Sequence, residues 1–280
     1  DWNTGAVENG FSLEIAKQIW EDAEKFAKYA FNKSHSAAYA ILVMRTAYLK
    51  AHYPNEFMAA VLSSYMGNTD RLIKYIASCN HNGTPVLPPD INSSNAEFTP
   101  VDEGIRFGLV GVRGIGKNVA DAIIAEREAN GPYTSLHDFV NRLDAKCYNR
   151  KTLEALIKGG AFDSTGYTRK QLMHFVDDTP LLEGAAKRQK DRDAGQMDMF
   201  AMFAEADETF KEDVPEPDGV EWDKRTKLAY EKEIMKIYVS EHPLAPYEGA
   251  IAHMTKYQLG DLAERTKVIK SAVFVGMVSG

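Results

Sequence analysis

Two glycines flank a single apolar residue in the stretch VRGIGKN, residues 112–118, and a helical pattern begins directly after them. Glycine tolerates positive φ angles and lets another backbone come close, while Ile115 can anchor the turn in a core. The first amides of the following helix then point outward at the positive end of its dipole, which attracts an anion. Flanking cations add to this attraction, so the spacing predicts a phosphate-binding turn. The residues assigned to it are Arg113, Gly114, Ile115, Gly116, Lys117 and Asn118.

A degenerate copy of the pattern occupies residues 152–176, in the stretch TLEALIKGGAFDSTGYTRKQLMHFV. It again consists of a helix, a glycine-rich break and a second helix, with Arg169 and Lys170 at the start of that second helix. Two such helix-hairpin-helix units in tandem predict a grip on two neighbouring phosphates of duplex DNA, independent of base sequence. A plain glycine-containing turn between packed helices is the competing interpretation, because a lone Gly-X-Gly is a weak signal.

A dense polar cluster, Asn32-Lys33-Ser34-His35-Ser36, stands just before a long apolar helical pattern. Either serine can cap that helix. Lys33 and His35 can instead contact a triphosphate. Residue chemistry alone favours capping over phosphate contact.

Five residues, Gln196-Met197-Asp198-Met199-Phe200, interrupt a strongly acidic stretch with apolar side chains. A short exposed peptide makes few contacts, so its sparse apolar anchors must supply most of its affinity for a partner, and Gln196 adds a directional amide. The competing interpretation, which the pattern alone slightly favours, is that Met199, Phe200 and Phe203 pack back on the nearest helix.

The charge distribution separates two regions of the chain. The net charge of the 280 residues is −7, but residues 104–176 hold 11 Lys and Arg against 7 Asp and Glu, a net charge of +4. Residues 177–223 hold 5 against 15, a net charge of −10. A basic region beside an acidic one is typical of a surface that meets polyanions, although a basic face next to a solvated acidic linker gives the same count.

The two cysteines, Cys79 and Cys147, are far apart and lack metal-ligand spacing, so we expect neither a disulfide framework nor a zinc site. This usage suits a reducing cytoplasm. No apolar run has the length of a membrane span, so no membrane partner is expected. The chain begins without methionine and ends in a strand-like run without a partner, so we expect a segment of a longer protein.

Hydrophobic periodicity and the placement of Gly and Pro predict a mainly α fold with short β elements. Helical patterns dominate residues 11–78, and two short strands at 96–101 and 104–110 form a hairpin. Further helices are predicted at 135–142, 149–158, 168–176 and 224–238. The predicted division of the chain is a helical region, 1–82; a strand pair with tandem hairpins, 83–176; an acidic linker or loose loop, 177–223; a helical connector, 224–266; and a strand, 267–280.

Several of these stretches together resemble the alpha subunits of bacterial DNA polymerase III, the C-family replicative polymerases. The resemblance rests on FAKYAFNKSHSAAYA, LKAHYPNEFMAAVLSSYM, LPPDIN, GLVGVRGIGKNVADAI, LIKGGAFD and HPLAPY, which follow one another in the family's order. It covers essentially the whole chain. Ala30 and Glu241 stand at bend positions where the family usually has glycine.

The resemblance implies a division of labour along the chain. Residues 1–82 would be the C-terminal part of the fingers, where Lys33 and His35 help to seat the phosphates of the incoming deoxynucleoside triphosphate and the other three residues of the polar cluster support them. The tandem hairpins would bind duplex DNA behind the active site. Residues 196–200 would be the internal peptide that binds the sliding clamp, the beta subunit, and residues 267–280 the first strand of an OB-fold.

The resemblance also implies which functions lie elsewhere. Nucleotidyl transfer needs carboxylates that hold two metal ions, and in this family they belong to a palm upstream of the position of Asp1. We therefore expect no catalytic residue, metal ligand or cofactor in this chain, with Mg²⁺ bound by the full polymerase. The fragment alone is expected to be inactive in DNA synthesis and to act with other replisome subunits in the cytoplasm.

Two functions of other classes compete with a polymerase segment. One is a non-catalytic adaptor of DNA repair that uses the hairpins, and the other is a protein–protein scaffold that uses the helices and residues 196–200 without touching DNA. Binding to duplex DNA distinguishes the scaffold from the other two.

Overall fold

The computed structural model describes five stretches of the chain, which fall into two compact units, residues 1–57 and 58–280. The stretches are residues 2–29, 33–178, 181–193, 216–255 and 273–277. Within them the molecule is mainly α-helical with one small three-stranded sheet, which confirms the predicted fold class. The sequence predicts a domain boundary after residue 82, where the composition of the chain changes. It is not the boundary between these two units, which lies after residue 57, and it stays a prediction.

The first unit contains α1 (Trp2–Glu8), α2 (Leu13–Tyr29) and α3 (Lys33–His52). Helix α1 packs against α2, where the indole nitrogen Nε1 of Trp2 donates a 2.8 Å hydrogen bond to the carbonyl oxygen of Ala16. Ala16 is buried at this contact. The hydrogen bond and the small side chain together let the two helices approach closely.

Helix α3 is more exposed than its sequence pattern suggests. Its apolar residues surround the helix, which predicts burial on all sides. In the structure no residue of α3 is buried, and the side chains of Val43 and Met44 are 63% and 73% exposed. The described part of the chain therefore does not cover the apolar surface of this helix.

The second unit begins at Met58, within α4 (Pro54–Ser64), and continues with α5 (Thr69–His81). A sheet follows, with strand order β1-β3-β2, in which β1 runs parallel and β2 antiparallel to β3. Its strands are β1 (Val86–Leu87), β2 (Thr99–Val101) and β3 (Gly104–Arg106). The β2–β3 pair confirms the predicted hairpin, although both strands are shorter. Gly104 is required there, because a Cβ atom would lie 2.2 Å from the carbonyl oxygen of Pro85.

Four helices form the predicted hairpin region. They are α6 (Lys117–Asn130), α7 (Leu136–Arg142), α8 (Arg150–Lys158) and α9 (Arg169–Asp178). The side chain of Ser135 accepts the amide of Asp138 at 3.0 Å, and that of Asn149 accepts the amide of Thr152 at 3.0 Å. These N-caps fix where α7 and α8 begin, so the helices predicted here are confirmed to within two residues.

The prediction of a loose acidic loop over residues 177–223 is wrong at both of its described ends. Residues Leu181–Asp193 form a helix, α10, which packs against α7 and α9. Leu181 and Ala185, four residues apart, are its buried contacts. Such a sparse apolar stripe is easily hidden by the charged residues around it. Residues 216–223 are held by hydrogen bonds to α9, as described below.

Helix α11 (Lys224–Met235) follows, three residues shorter than predicted. It ends because Lys236 adopts a left-handed conformation with φ of 65° and donates its amide to the carbonyl of Lys232 at 2.9 Å. The last described helix is α12 (Glu248–Met254). Residues 273–277 carry no strand pairing; the rest of the predicted terminal strand lies outside the described residues.

The core of the second unit joins the strand region to the hairpin helices through large, fully buried side chains. They are Leu62, Ile91, Ile105, Phe107, Leu109, Ile123, Tyr133, Leu136, Phe139, Leu153, Leu156 and Phe162. This core fixes the two hairpin turns relative to each other. Among the described helices, none is long and apolar enough to cross a lipid bilayer.

Candidate nucleic-acid interface

The first hairpin turn has the backbone geometry that the sequence predicts. A 3₁₀ turn at Leu109–Gly111 leads into Gly114, whose φ of 88° lies in the left-handed region that favours glycine. Ile115 is only 4% exposed and anchors the turn, and α6 begins at Lys117. We call residues 113–118 the open corner.

Four of the six amides of the open corner have no acceptor among the described residues, while those of Arg113 and Ile115 donate to the carbonyls of Ile234 and Val112. Gly116 precedes α6 without a side-chain cap, and the first turn of α6 contains no acidic residue. Among the described residues, no acceptor is found for the amides of Gly114, Gly116, Lys117 or Asn118. A Cβ atom built on either glycine would meet nothing within 4 Å, so the corner is unobstructed. Free amides at the positive end of a helix dipole form a site for an anion.

Polar side chains surround these amides. Arg113, Lys117 and Asn118 are exposed. Lys117 Nζ lies 3.3 Å from a carboxylate oxygen of Asp121, with 73% of the lysine side chain exposed. Exposed ion pairs of this kind contribute about 0–1 kcal/mol. A phosphate can therefore recruit the Lys117 ammonium at little cost.

The second hairpin repeats the backbone of the first. A 3₁₀ turn at Asp163–Thr165 leads into Gly166, with φ of 83°, and α9 begins three residues later at Arg169. In the first hairpin α6 likewise begins three residues after Gly114. The structural counterpart of Gly114 is thus Gly166, and not Gly159-Gly160 of the predicted break.

The prediction that Arg169 binds a phosphate is wrong. Its side chain is 3% exposed and its guanidinium is used inside the protein. Nε and Nη2 donate to the two carboxylate oxygens of Asp163 at 2.9 and 2.6 Å, and Nη1 donates to Glu231 at 3.0 Å. A buried guanidinium with two carboxylate partners is not accessible to DNA. Lys170 is exposed, and its contact with DNA stays a prediction.

The amides at the start of α9 are also occupied. The two carboxylate oxygens of Glu221 accept the amides of Arg169 at 3.0 Å and Lys170 at 3.2 Å, and the Thr168 hydroxyl accepts the amide of Gln171 at 3.2 Å. Glu221 thus takes the place that a phosphate would have in this hairpin. Glu221 and Arg169 are 52 residues apart in the sequence, so no local sequence pattern predicts this contact.

The segment that carries Glu221 is attached to α9 at further points. The side-chain amide of Gln171 donates to the carbonyl of Glu216 at 2.8 Å and accepts the amide of Asp218 at 3.1 Å. The Thr168 hydroxyl donates to the carbonyl of Val220 at 2.8 Å. We call residues 216–223 the strap. It covers the start of α9 in the second hairpin.

The electrostatics of the strap follow from these contacts. Burial acts to raise the pKa of Glu221, but amide hydrogen bonds from Trp222, Arg169 and Lys170 and the nearby Lys227 ammonium outweigh it, and the pKa is lowered. Glu221 is accordingly anionic at neutral pH, and its charge balances the positive end of the α9 dipole.

The predicted triphosphate cluster lies at the start of α3, where Lys33, Ser34 and His35 are exposed and Ser36 is half-buried. The ring of His35 stacks on that of Tyr39, with centroids 4.3 Å apart. Asn32 lies outside the described residues. Contact with a triphosphate stays a prediction for this cluster.

The predicted clamp peptide, residues 196–200, lies outside the described residues. Within the described stretches, no group of three or more His, Cys, Asp or Glu side chains is arranged to hold a metal ion.

Comparison with known proteins identifies the hairpin region. Residues 83–172 match the helix-hairpin-helix motif. The chain is 41% identical to DNA polymerase III subunit alpha of Borreliella burgdorferi over 95% of its length, and 41% identical to that of Thermus aquaticus over 98%. For the same subunit of Saccharopolyspora erythraea the identity is 38% over the full chain. The chain spans 23%, 22% and 24% of these relatives, respectively. It is therefore similar, over nearly all of its length, to a segment of bacterial DNA polymerase III alpha subunits.

Proposed function

We propose that this chain is a DNA-binding segment of a bacterial replicative DNA polymerase and that its open corner holds the sugar-phosphate backbone of duplex DNA. The carrying observation is that four amides, those of Gly114, Gly116, Lys117 and Asn118, face solvent beside two cationic side chains. Backbone amides contact phosphates and not base edges, so binding is independent of base sequence.

One hairpin, and not two, contacts the phosphates in this arrangement. The open corner supplies amides and the charges of Arg113 and Lys117, whereas the second hairpin is occupied by Glu221 and Arg169 is buried. The second hairpin acts as a structural support for the first. This proposal revises the two-phosphate grip that the sequence predicts.

The similarity to polymerase subunits supports a role in DNA synthesis. Template-directed nucleotidyl transfer belongs to the full polymerase, with Mg²⁺ held by carboxylates elsewhere in that protein. Within it, Lys33 and His35 help to seat the phosphates of the incoming deoxynucleoside triphosphate, with Asn32, Ser34 and Ser36 beside them. The chain works in the cytoplasm with other replisome subunits.

Residues 196–200 bind the sliding clamp, the beta subunit, in this proposal. Support comes from their apolar anchors in an acidic stretch and from their resemblance to the clamp-binding peptide of this family. Combined replacement of Gln196 and Phe200 by alanine is expected to abolish recovery of the clamp in a pull-down. Equal recovery with the native chain would remove this assignment.

The DNA-binding proposal is tested by measuring affinity for a random duplex over a range of salt concentrations. The logarithm of the binding constant should fall linearly with the logarithm of salt concentration, with a slope of about 0.9 for each neutralised phosphate. Lys117→Glu should weaken binding and flatten this slope. Gly114→Val should weaken binding because a β-branched residue opposes φ of 88°.

Lys74→Glu is the matched control, since it makes the same charge change at an exposed position of α5 outside the hairpins. It should bind duplex DNA nearly as tightly as the native chain. Unchanged affinity of both corner variants would refute the assignment. A repair adaptor would bind DNA in the same way, but the relatives named above favour the polymerase segment.

A further inference from the structure

Two oppositely charged side chains are buried between the second hairpin and α11. The side chains of Arg169 and Glu231 are 3% and 1% exposed, and Arg169 Nη1 lies 3.0 Å from Glu231 Oε1. Charges are almost never buried this completely unless each is fully paired. The pair joins residues 62 positions apart, so it fixes one element of the fold to another.

The stretch of residues 158–163 accommodates the guanidinium of Arg169. Besides the two bonds to Asp163, the guanidinium donates to the carbonyl of Lys158 at 3.3 Å. A Cβ atom on Gly160 would lie 2.3 Å from Arg169 Nη2, so glycine leaves the space that the guanidinium fills. The conspicuous stretch LIKGGAFD thus contributes a glycine, a carbonyl and a carboxylate to one buried cradle.

Glu231 is satisfied on its other side as well. The amide of Ser240 donates to Oε2 at 3.1 Å, and the Ser240 hydroxyl donates to Oε1. The carboxylate therefore joins α9, α11 and the segment after α11. We call Asp163, Arg169, Glu231 and Ser240 the clasp.

Helix α11 also contacts the first hairpin. The carbonyl oxygen of Ile234 accepts the backbone amide of Arg113, at the start of the open corner, with a length of 3.2 Å. Glu231 and Ile234 are three residues apart, so they lie on neighbouring positions of one helix face. Both are buried. The clasp at one hairpin and the hydrogen bond at the other are therefore joined by one turn of α11.

We propose that Arg169 and Glu231 are positioning residues of the nucleic-acid interface. Their ion pair fixes α11 against the second hairpin, and α11 in turn fixes the Arg113 amide through the Ile234 carbonyl. The open corner is thereby preorganised before DNA arrives, which avoids an ordering cost on binding. This inference rests on the proposed DNA binding, but its effect on the Arg113 amide does not depend on DNA.

The test compares Glu231→Gln with Glu233→Gln in the full 280-residue chain. Both changes remove one charge from α11. Glu233, however, forms an ion pair only with Lys158, and 49% of the Glu233 side chain is exposed. Hydrogen exchange of the Arg113 amide and affinity for a random duplex are measured. For Glu231→Gln we expect about tenfold faster exchange and about tenfold weaker binding, the scale of a coupling of about 1.4 kcal/mol.

The salt dependence distinguishes positioning from direct phosphate contact. In Glu231→Gln the salt slope should equal that of the native chain, because the same phosphates are neutralised. Glu233→Gln should behave as the native chain in all three measurements. A flatter slope in Glu231→Gln, or native exchange together with native affinity, would overturn the proposal.

A milder variant covers the case in which Glu231→Gln does not fold. Ser240→Ala removes the hydroxyl hydrogen bond to Glu231 Oε1 but keeps the backbone amide hydrogen bond to Oε2 and both charges of the pair. Exchange of the Arg113 amide should still be faster than in the native chain. Native exchange in Ser240→Ala would then overturn the clasp. A native chain that binds no duplex DNA would refute the proposed function, while the exchange comparison would still decide the clasp.

Discussion

At the scale of single residues, two glycines with nearly the same backbone angle have different surroundings. Gly160 has φ of 84° and a Cβ atom there would lie 2.3 Å from Arg169 Nη2. Gly166 has φ of 83°, and a Cβ atom there would meet nothing within 4 Å. Alanine substitutions at these two glycines therefore separate two free-energy costs. One is that of a side chain on a left-handed backbone, and the other is that of crowding the buried guanidinium.

Gly166→Ala should lower the free energy of unfolding by about 1–2 kcal/mol, the cost of a left-handed alanine. Gly160→Ala should lower it by roughly 1–3 kcal/mol more, because its methyl group also crowds the cradle. Urea denaturation followed by circular dichroism measures both. Equal losses in the two variants would contradict the cradle.

Glu221 gives a prediction of pH dependence. Glu221→Gln should destabilise the chain at neutral pH by about 1 kcal/mol, the scale of a helix cap. The folded pKa lies below the ordinary 4.5, so this stabilisation is complete above that value and is lost as the pH falls through the folded pKa. The difference in unfolding free energy between native chain and variant should therefore shrink on acidification.

Glu216→Gln is the control for that measurement, because Glu216 is exposed in the same strap and contacts α9 through its backbone carbonyl. Its difference from the native chain should be small throughout the pH range. A Glu221→Gln difference that grows towards low pH would show that the carboxylate is not stabilised by the α9 amides.

At the scale of elements, predictability follows the range of the interaction that decides each feature. The open corner was predictable because its glycines, apolar anchor and helix start are adjacent in sequence. The roles of Arg169 and Glu221 were not, because their partners lie 62 and 52 residues away. A cation at a helix start predicts a phosphate ligand only when no distant carboxylate reaches it first.

Helix α10 shows the same limit for a whole element. Its burial depends on Leu181 and Ala185 within a segment of high charge, so the composition of residues 177–223 predicted a loop. Leu181→Ala should lower the free energy of unfolding by about 2 kcal/mol or more, as for buried leucines. Leu182→Ala, at a half-buried position next to it, should cost less.

Thermal or urea unfolding of these two leucine variants decides between a packed helix and a loose linker. A packed α10 requires a clear difference between them. Equal and negligible effects would restore the linker interpretation for residues 181–193.

At the scale of the whole molecule, charge and fold act together. The region with a net charge of +4 contains the open corner, and the region with −10 supplies the strap that occupies the second hairpin. The sequence predicted the fold class and the charge asymmetry, since both are sums over many residues. It did not predict that an acidic segment closes one of two similar hairpins, because that depends on a single docked carboxylate.

On the proposed function, nucleic acid binds at the amides of the open corner and not at the start of α9. Amide chemical shifts of the isotopically labelled chain, followed by NMR during titration with a short random duplex, test it most directly. We expect the amide signals of Gly114, Gly116, Lys117 and Asn118 to shift and those of α9 to stay in place. Corner amides that do not move while duplex DNA binds elsewhere on the chain would contradict it.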